Sequence, residues 1–128
     1  MRYLGIDYGS KKVGLALSDE SGHMAFPHSV LINNSELVEN LVSLIEEKKV
    51  EEIVIGHSLN REGSENAIHV AVKELIGDLT LKVGLPIHLE PEQYSTQEAK
   101  QIQGKNDLTD ASAAAIILNS YLTKQAKN

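Results

Sequence analysis

Apolar and polar positions change rhythm along this chain, and the changes mark out its elements. Residues 2–8, Arg-Tyr-Leu-Gly-Ile-Asp-Tyr, read as a strand, and Gly9-Ser10-Lys11-Lys12 as a turn. Residues 13–18 read as the returning strand of a hairpin. A third strand is expected within 24–32, where Pro27 points to an edge position or an irregular start. Ser35 is the expected N-cap of a helix whose apolar residues, from Leu37 to Ile45, recur at helical spacing up to about Lys49.

A short apolar run, 52–56, suits a buried parallel strand, and 57–63 reads as a loop. A second helix follows Ser64, with Ala67, Ile68, Ala71, Val72, Leu75, Ile76 and Leu79 on its apolar face. Gly84 ends it, and Pro86 opens a strand over 86–90. Ser95-Thr96-Gln97-Glu98 fits a capping box, so a helix is expected from there to Gly104. Thr109 is the expected cap of a last helix, alanine-rich from Ala111 to Ala115, with a fraying tail from Thr123 to Asn128. The order βββαβαβαα predicts an α/β fold: one mixed five-stranded sheet, three antiparallel strands and then parallel ones, flanked by helices.

A chain of 128 residues, 41% apolar and 23% charged, suits one globular domain over 1–128. It has no cysteine, which excludes disulfides, thiolate zinc sites and a catalytic thiol. No signal-peptide pattern precedes the first strand, and no apolar stretch approaches the roughly 18 residues of a membrane span. A cytoplasmic protein that does not meet a membrane is therefore expected. The net charge of −6 lacks the basic footprint usual for nucleic-acid binding, so any such contact rests on local patches or bound cations.

Carboxylates dominate the candidate chemistry. Asp7 lies near the end of an apolar strand, on the face of Tyr3 and Gly5 and opposite Leu4 and Ile6. The glycines two residues to either side, Gly5 and Gly9, are read as keeping its surroundings open. Glu92 follows the last strand, where crevices form at the carboxyl ends of parallel strands, whereas Glu90 reads as solvated. Asp110 stands in the first turn of the last helix, three residues after Asp107 and on the same side. The alanines after it would let that helix lie close to the sheet and bring Asp110 toward Asp7. Each carboxylate has a bland alternative: turn hydrogen bonding for Asp7, solvation for Glu92, dipole complementation for Asp110. Together they suit Mg²⁺ or Mn²⁺, hard cations that prefer oxygen ligands. Ser10, Lys11 and Lys12, with Asn60, Arg61 and Gly63, are candidate phosphate contacts or plain solvated loop residues. The five histidines are scattered; His69 and His88 suit satisfied structural positions, and His57 is not favoured as a substrate contact. There is no G-x-S-x-G elbow, Walker A loop or G-x-G-x-x-G fingerprint.

Four segments then match a known pattern in order. Leu4-Gly5-Ile6-Asp7-Tyr8-Gly9-Ser10-Lys11-Lys12-Val13-Gly14-Leu15-Ala16-Leu17-Ser18-Asp19 resembles the opening of the YqgF/RuvX family. Ile55 to Asn60 with Glu62-Gly63-Ser64 resembles its second motif, and Glu92-Gln93-Tyr94-Ser95-Thr96 its third. Asp110, Ala113-Ala114 and Ile117 to Leu122 resemble its C-terminal motif. The resemblance covers nearly the whole chain. It implies an RNase H-like fold and nuclease activity, on Holliday junctions or at the 5′ end of the 16S rRNA precursor. It assigns metal ligation and catalysis to Asp7, Glu92 and Asp110, with Asp107 as a fourth ligand, and places Thr96 among the nucleic-acid contacts. Gln93 stands where the family has arginine, Pro91 replaces an acidic residue, and the basic segment before the last aspartate is reduced to Gly104-Lys105-Asn106-Asp107.

Processing of rRNA precursor, resolution of branched DNA and a non-catalytic module of the same fold all remain open, as do a monomer and a homodimer. The Asp7-x-Gly9-Ser10 turn also resembles the phosphate loop of actin-like ATPases, which close a nucleotide between two such domains; this chain has the length of one.

Overall fold

A computed structural model describes residues 1–57, 67–91 and 107–127, with side chains within 1–56, 70–90 and 111–125. Five strands are present: β1 (Tyr3–Tyr8), β2 (Lys12–Ser18), β3 (Ala25–Ile32), β4 (Glu52–His57) and β5 (Ile87–Pro91). The described helices are α1 (Leu37–Lys48), α2 (Ala67–Val83) and α3 (Asp107–Lys127). The strands form one sheet in the order β3-β2-β1-β4-β5. β1 pairs antiparallel with β2 and parallel with β4, and β5 extends the parallel half. This is the mixed sheet expected. The helix expected from Ser95 to Gly104 lies outside the described residues.

Period-two alternation sorts each strand between two cores. Leu4, Ile6, Val13, Leu15, Ile53 and Ile55 face α1 and α2, where they meet Leu41, Ile45, Val72, Leu75 and Leu79. Ala16, Ala25 and Val54 face α3, where they meet Ala114, Ile117, Leu118 and Tyr121. Pro27 lies on the edge strand, as its missing N–H requires, beside an irregularity in register: Leu15 pairs with Ser29 and Ala16 with Pro27, leaving His28 as the extra residue.

Several boundaries differ from expectation. The N-cap of α1 is Glu36, not Ser35, and it makes no side-chain cap bond; Asn34 closes the preceding turn, its Oδ1 accepting the Glu36 N–H at 2.9 Å and its carbonyl the Leu37 N–H at 3.1 Å. α1 ends on Lys49, held in the left-handed region at φ 56°. β4 runs through His57, which was expected in the loop. The last helix already includes Asp107, so Thr109 is inside it and does not cap it. The same helix continues to Lys127 instead of fraying from Thr123. Its last turns are tied down by Lys124, which donates to Glu90 at 2.5 Å, and by Gln125, which donates to the Tyr121 hydroxyl at 2.9 Å.

Candidate active site at the carboxyl end of the parallel strands

The parallel register lines up the candidate site. Ile6 pairs with Ile55, and Gly56 with Glu90. Continuing by one residue brings Asp7 level with Gly56 and Glu90, in one row on the α3 face. Gly56 adds no side chain to that row. Asp7 is half-buried at the carboxyl end of its strand, and Glu90 is only 3% exposed.

α3 runs antiparallel to β1 across this face. The Tyr121 ring lies 6.0 Å from that of Tyr3. Two residues along the strand, Gly5 meets α3 so closely that a Cβ there would lie 2.9 Å from Leu118 Cβ and 3.1 Å from the Ala114 carbonyl oxygen. Moving from Tyr3 to Gly5 therefore retreats along α3 from residue 121 to 118 and 114. The next strand step, Gly5 to Asp7, is about 7 Å, and the next helical turn, Ala114 to Asp110, is about 6 Å. Asp107 and Asp110 both lie in the first turn of α3.

Glycine 5 thus has a different role from the one expected. It does not open the surroundings of Asp7; it lets the alanine-rich helix seat directly on the strand. Gly9 is likewise a point of contact, since a Cβ there would lie 2.5 Å from the Lys12 carbonyl oxygen. The tight turn it permits exposes Ser10, Lys11 and Lys12 beside the carboxylate end. Asn33 braces this turn: its Nδ2 donates to the Gly9 carbonyl at 2.8 Å, and its backbone N–H donates to the Lys11 carbonyl at 2.9 Å.

Glu90 is the main surprise. Expected to be solvated, it is buried against α3, where its Oε1 accepts from Ser120 Oγ at 3.0 Å and from Lys124 Nζ. Beside it, His88 hydrogen-bonds Glu52 at 2.6 Å and stacks on Tyr121 with ring centroids 4.9 Å apart. His88 is thus a satisfied structural histidine, as expected. Burial raises the Tyr121 hydroxyl above its ordinary range, helped by the nearby Glu52 carboxylate. The available signal for Glu90 was its parity with His88 on a strand whose opposite face carries Ile87.

Among the described residues no three acidic or histidine side chains gather as a metal site. Glu92, Asn60, Arg61, Gly63 and Thr96 lie outside the described residues; for Asp107 and Asp110 the backbone alone is described. No helix among the described residues is long and apolar enough to cross a membrane.

Comparison with known proteins gives a consistent answer. The family model described as "RuvX: Holliday junction resolvase" matches residues 1–124. A protein of Maridesulfovibrio salexigens is 36% identical, covering 97% of this chain and 99% of its own. One of Nitratidesulfovibrio vulgaris is 33% identical, covering 98% of this chain and 87% of its own. Both are named "Putative pre-16S rRNA nuclease". Among solved structures, Thermus thermophilus RuvC in complex with a Holliday junction substrate superposes with a TM-score of 0.65 at 15% identity, covering 98% of this chain and 96% of its own. Fowlpox virus resolvase, bound to Holliday junction DNA, gives 0.62 at 9% identity over 98% and 99% of the two chains. These two establish the RNase H-like fold, and the sequence matches establish that this chain belongs to the RuvX family.

Proposed function

We propose that this protein is a divalent-metal-dependent nuclease that hydrolyses phosphodiester bonds in the 5′ region of 16S rRNA precursor, with Asp7, Glu92 and Asp110 as its catalytic carboxylates. The observation that carries this reading is the seating of α3 on Gly5, which directs the helix turn holding Asp107 and Asp110 toward the strand end holding Asp7. β5 finishes at Pro91 at this same end of the sheet, and Glu92 is the next residue in sequence.

The donor set fits Mg²⁺ or Mn²⁺. It offers only carboxylate oxygens, in a chain without cysteine, and Asp7 is half-buried at its strand end. When bound, such ions activate water and stabilise the leaving oxygen of a phosphodiester. Asp7, Glu92, Asp110 and Asp107 would hold them. Ser10, Lys11 and Lys12 position neighbouring phosphates from the Gly9 turn, and Asn60, Arg61, Gly63 and Thr96 are assigned the same task. With Gln93 in place of arginine and a net charge of −6, affinity rests on few cationic contacts. The working compartment is the cytoplasm, where such precursors are made.

The family description supports a second reading, cleavage of branched DNA, which calls for a homodimer presenting two sites to a two-fold junction. One assay separates them: a 16S precursor with its 5′ leader and a four-way DNA junction, each incubated with Mg²⁺ or Mn²⁺. Cleavage of the leader, lost by about 100-fold or more in Asp7→Asn, Glu92→Gln and Asp110→Asn, is the expected result. Variants that bind Mn²⁺ and cleave as the parent does would refute the carboxylate site, and a parent that cleaves neither substrate would favour a non-catalytic module.

A further inference from the structure

Tyr8 directly follows Asp7, and the alternation of the strand turns it to the opposite face. There it borders a groove of about 240 Å³ between the start of α1 and the middle of α2. We propose that this groove receives one unpaired nucleobase of the substrate strand, with its edge read by Glu74 and Asp78. This rests on the nuclease reading above and adds to it a site of base recognition.

The chemistry of the lining selects the ligand. The inner wall holds the Tyr8 ring and buried Leu75, surfaces suited to a flat apolar face. The rim is polar: Asn33 and Asn34 on one side, Glu74 and Asp78 on the other. Two exposed carboxylates disfavour phosphate there. They accept hydrogen bonds from N–H groups, which the edges of adenine, cytosine and guanine present as exocyclic amines. An apolar face with a donor-rich edge describes an unstacked base, the form in which proteins read single-stranded RNA. The volume is below the roughly 300–1,000 Å³ of pockets that enclose a whole small molecule, in keeping with one base of a longer strand.

Position supports the same conclusion. The groove lies at the end of the sheet that carries Asp7. Asn33, on its rim, holds the carbonyls of Gly9 and Lys11, so this wall is fixed to the turn that offers Lys11 and Lys12 to the backbone. A strand with a phosphate on that turn has a base within reach of Tyr8.

The test compares oligoadenylate with an abasic sugar-phosphate oligomer of the same length, bound to the intact protein in Ca²⁺. Equal charge cancels the phosphate contribution, so the ratio of affinities reports the base alone. Oligoadenylate is expected to bind about tenfold tighter or more, with oligouridylate between the two. Tyr8→Leu should bring the ratio close to one. Because Tyr8 also packs on the core, the exposed pair Glu74→Lys and Asp78→Lys provides an independent variant, expected to reduce the preference for adenylate over uridylate. Equal binding of adenylate and abasic oligomers, or a preference unchanged in both variants, overturns the groove. A base preference in a protein that cleaves neither substrate supports the groove while refuting the nuclease reading.

Discussion

A methyl group on Gly5 would sit 2.9 Å from the Cβ of Leu118, closer than two such carbons approach in real packing. The contact fixes the height of α3 above the sheet, and with it the reach of the first α3 turn toward Asp7. Gly5→Ala must therefore lift the helix. Overpacking of this kind costs about 1–3 kcal/mol. Cleavage should fall further than that loss implies, because the carboxylates on β1 and α3 would separate while the fold persists. Urea denaturation and Mn²⁺-dependent cleavage of the same sample check both parts. A Gly5→Ala protein as stable and as active as its parent would show that the helix is not seated here.

The sheet and its two cores were legible because period two is a strong signal: Leu4 and Ile6 opposed to Tyr3, Gly5 and Asp7 settles which face of β1 meets which helices. The alanine run after Asp110 likewise announced a close helix. Glu90 was not legible in the same way. A glutamate after an apolar strand looks identical whether it enters solvent or a buried ion pair, and its partner Lys124 is 34 residues away. That partner also explains why the polar end of α3 stays helical. The start of α1 was misplaced by one residue because the cap position falls on Glu36, not a favoured capping type, while Asn34 supplies the side-chain bond from the preceding turn.

The Glu90–Lys124 pair joins β5, which leads to Glu92, to α3, which carries Asp110. Lys124→Met leaves a carboxylate 3% exposed without its cation, while the Ser120 hydroxyl still donates to it. The cost should be about 1–3 kcal/mol, toward the low end because the lysine side chain is 60% exposed. Replacing both residues, Glu90→Met with Lys124→Met, should recover most of it, since a buried charge without its partner is worse than none. Chemical denaturation of the two single variants and the double variant measures the coupling. Additive losses would mean that the two side chains do not depend on each other.

Gly9→Ala tests the turn. The added Cβ would meet the Lys12 carbonyl oxygen, a backbone atom, at 2.5 Å, so the turn has to open. Lys11 and Lys12 then leave their places beside the strand end. Affinity for nucleic acid should drop, and the dependence of log K on log salt should become shallower. Lys11→Ala and Lys12→Ala should each reduce that slope by about 1 if each neutralises one phosphate. Binding measured across a salt series checks this, and a slope unchanged in all three variants would remove the turn from the interface.

Acid stability should carry the signature of Asp19, in the connection between β2 and β3. Its Oδ2 accepts from Ser21 Oγ at 2.7 Å, and its Oδ1 accepts the backbone N–H groups of His23 and Met24 at 2.8 and 3.2 Å. These bonds, Ser21 first, favour the ionised form and lower the carboxyl from its ordinary 3.8 to about 2. A pKa depressed by folding means that the unfolded chain takes up the proton first. The stabilisation is therefore complete above about 3.8, declines as the pH falls, and is gone once it passes about 2. Asp19→Asn removes the titration, so melting temperatures of parent and variant should differ by a constant amount near neutrality and converge between about pH 4 and 2. The effect is small because these bonds lie at the solvent-facing surface, and high salt should shrink it further. A gap that stays constant down to pH 2 would mean that the turn draws nothing from the charge of Asp19.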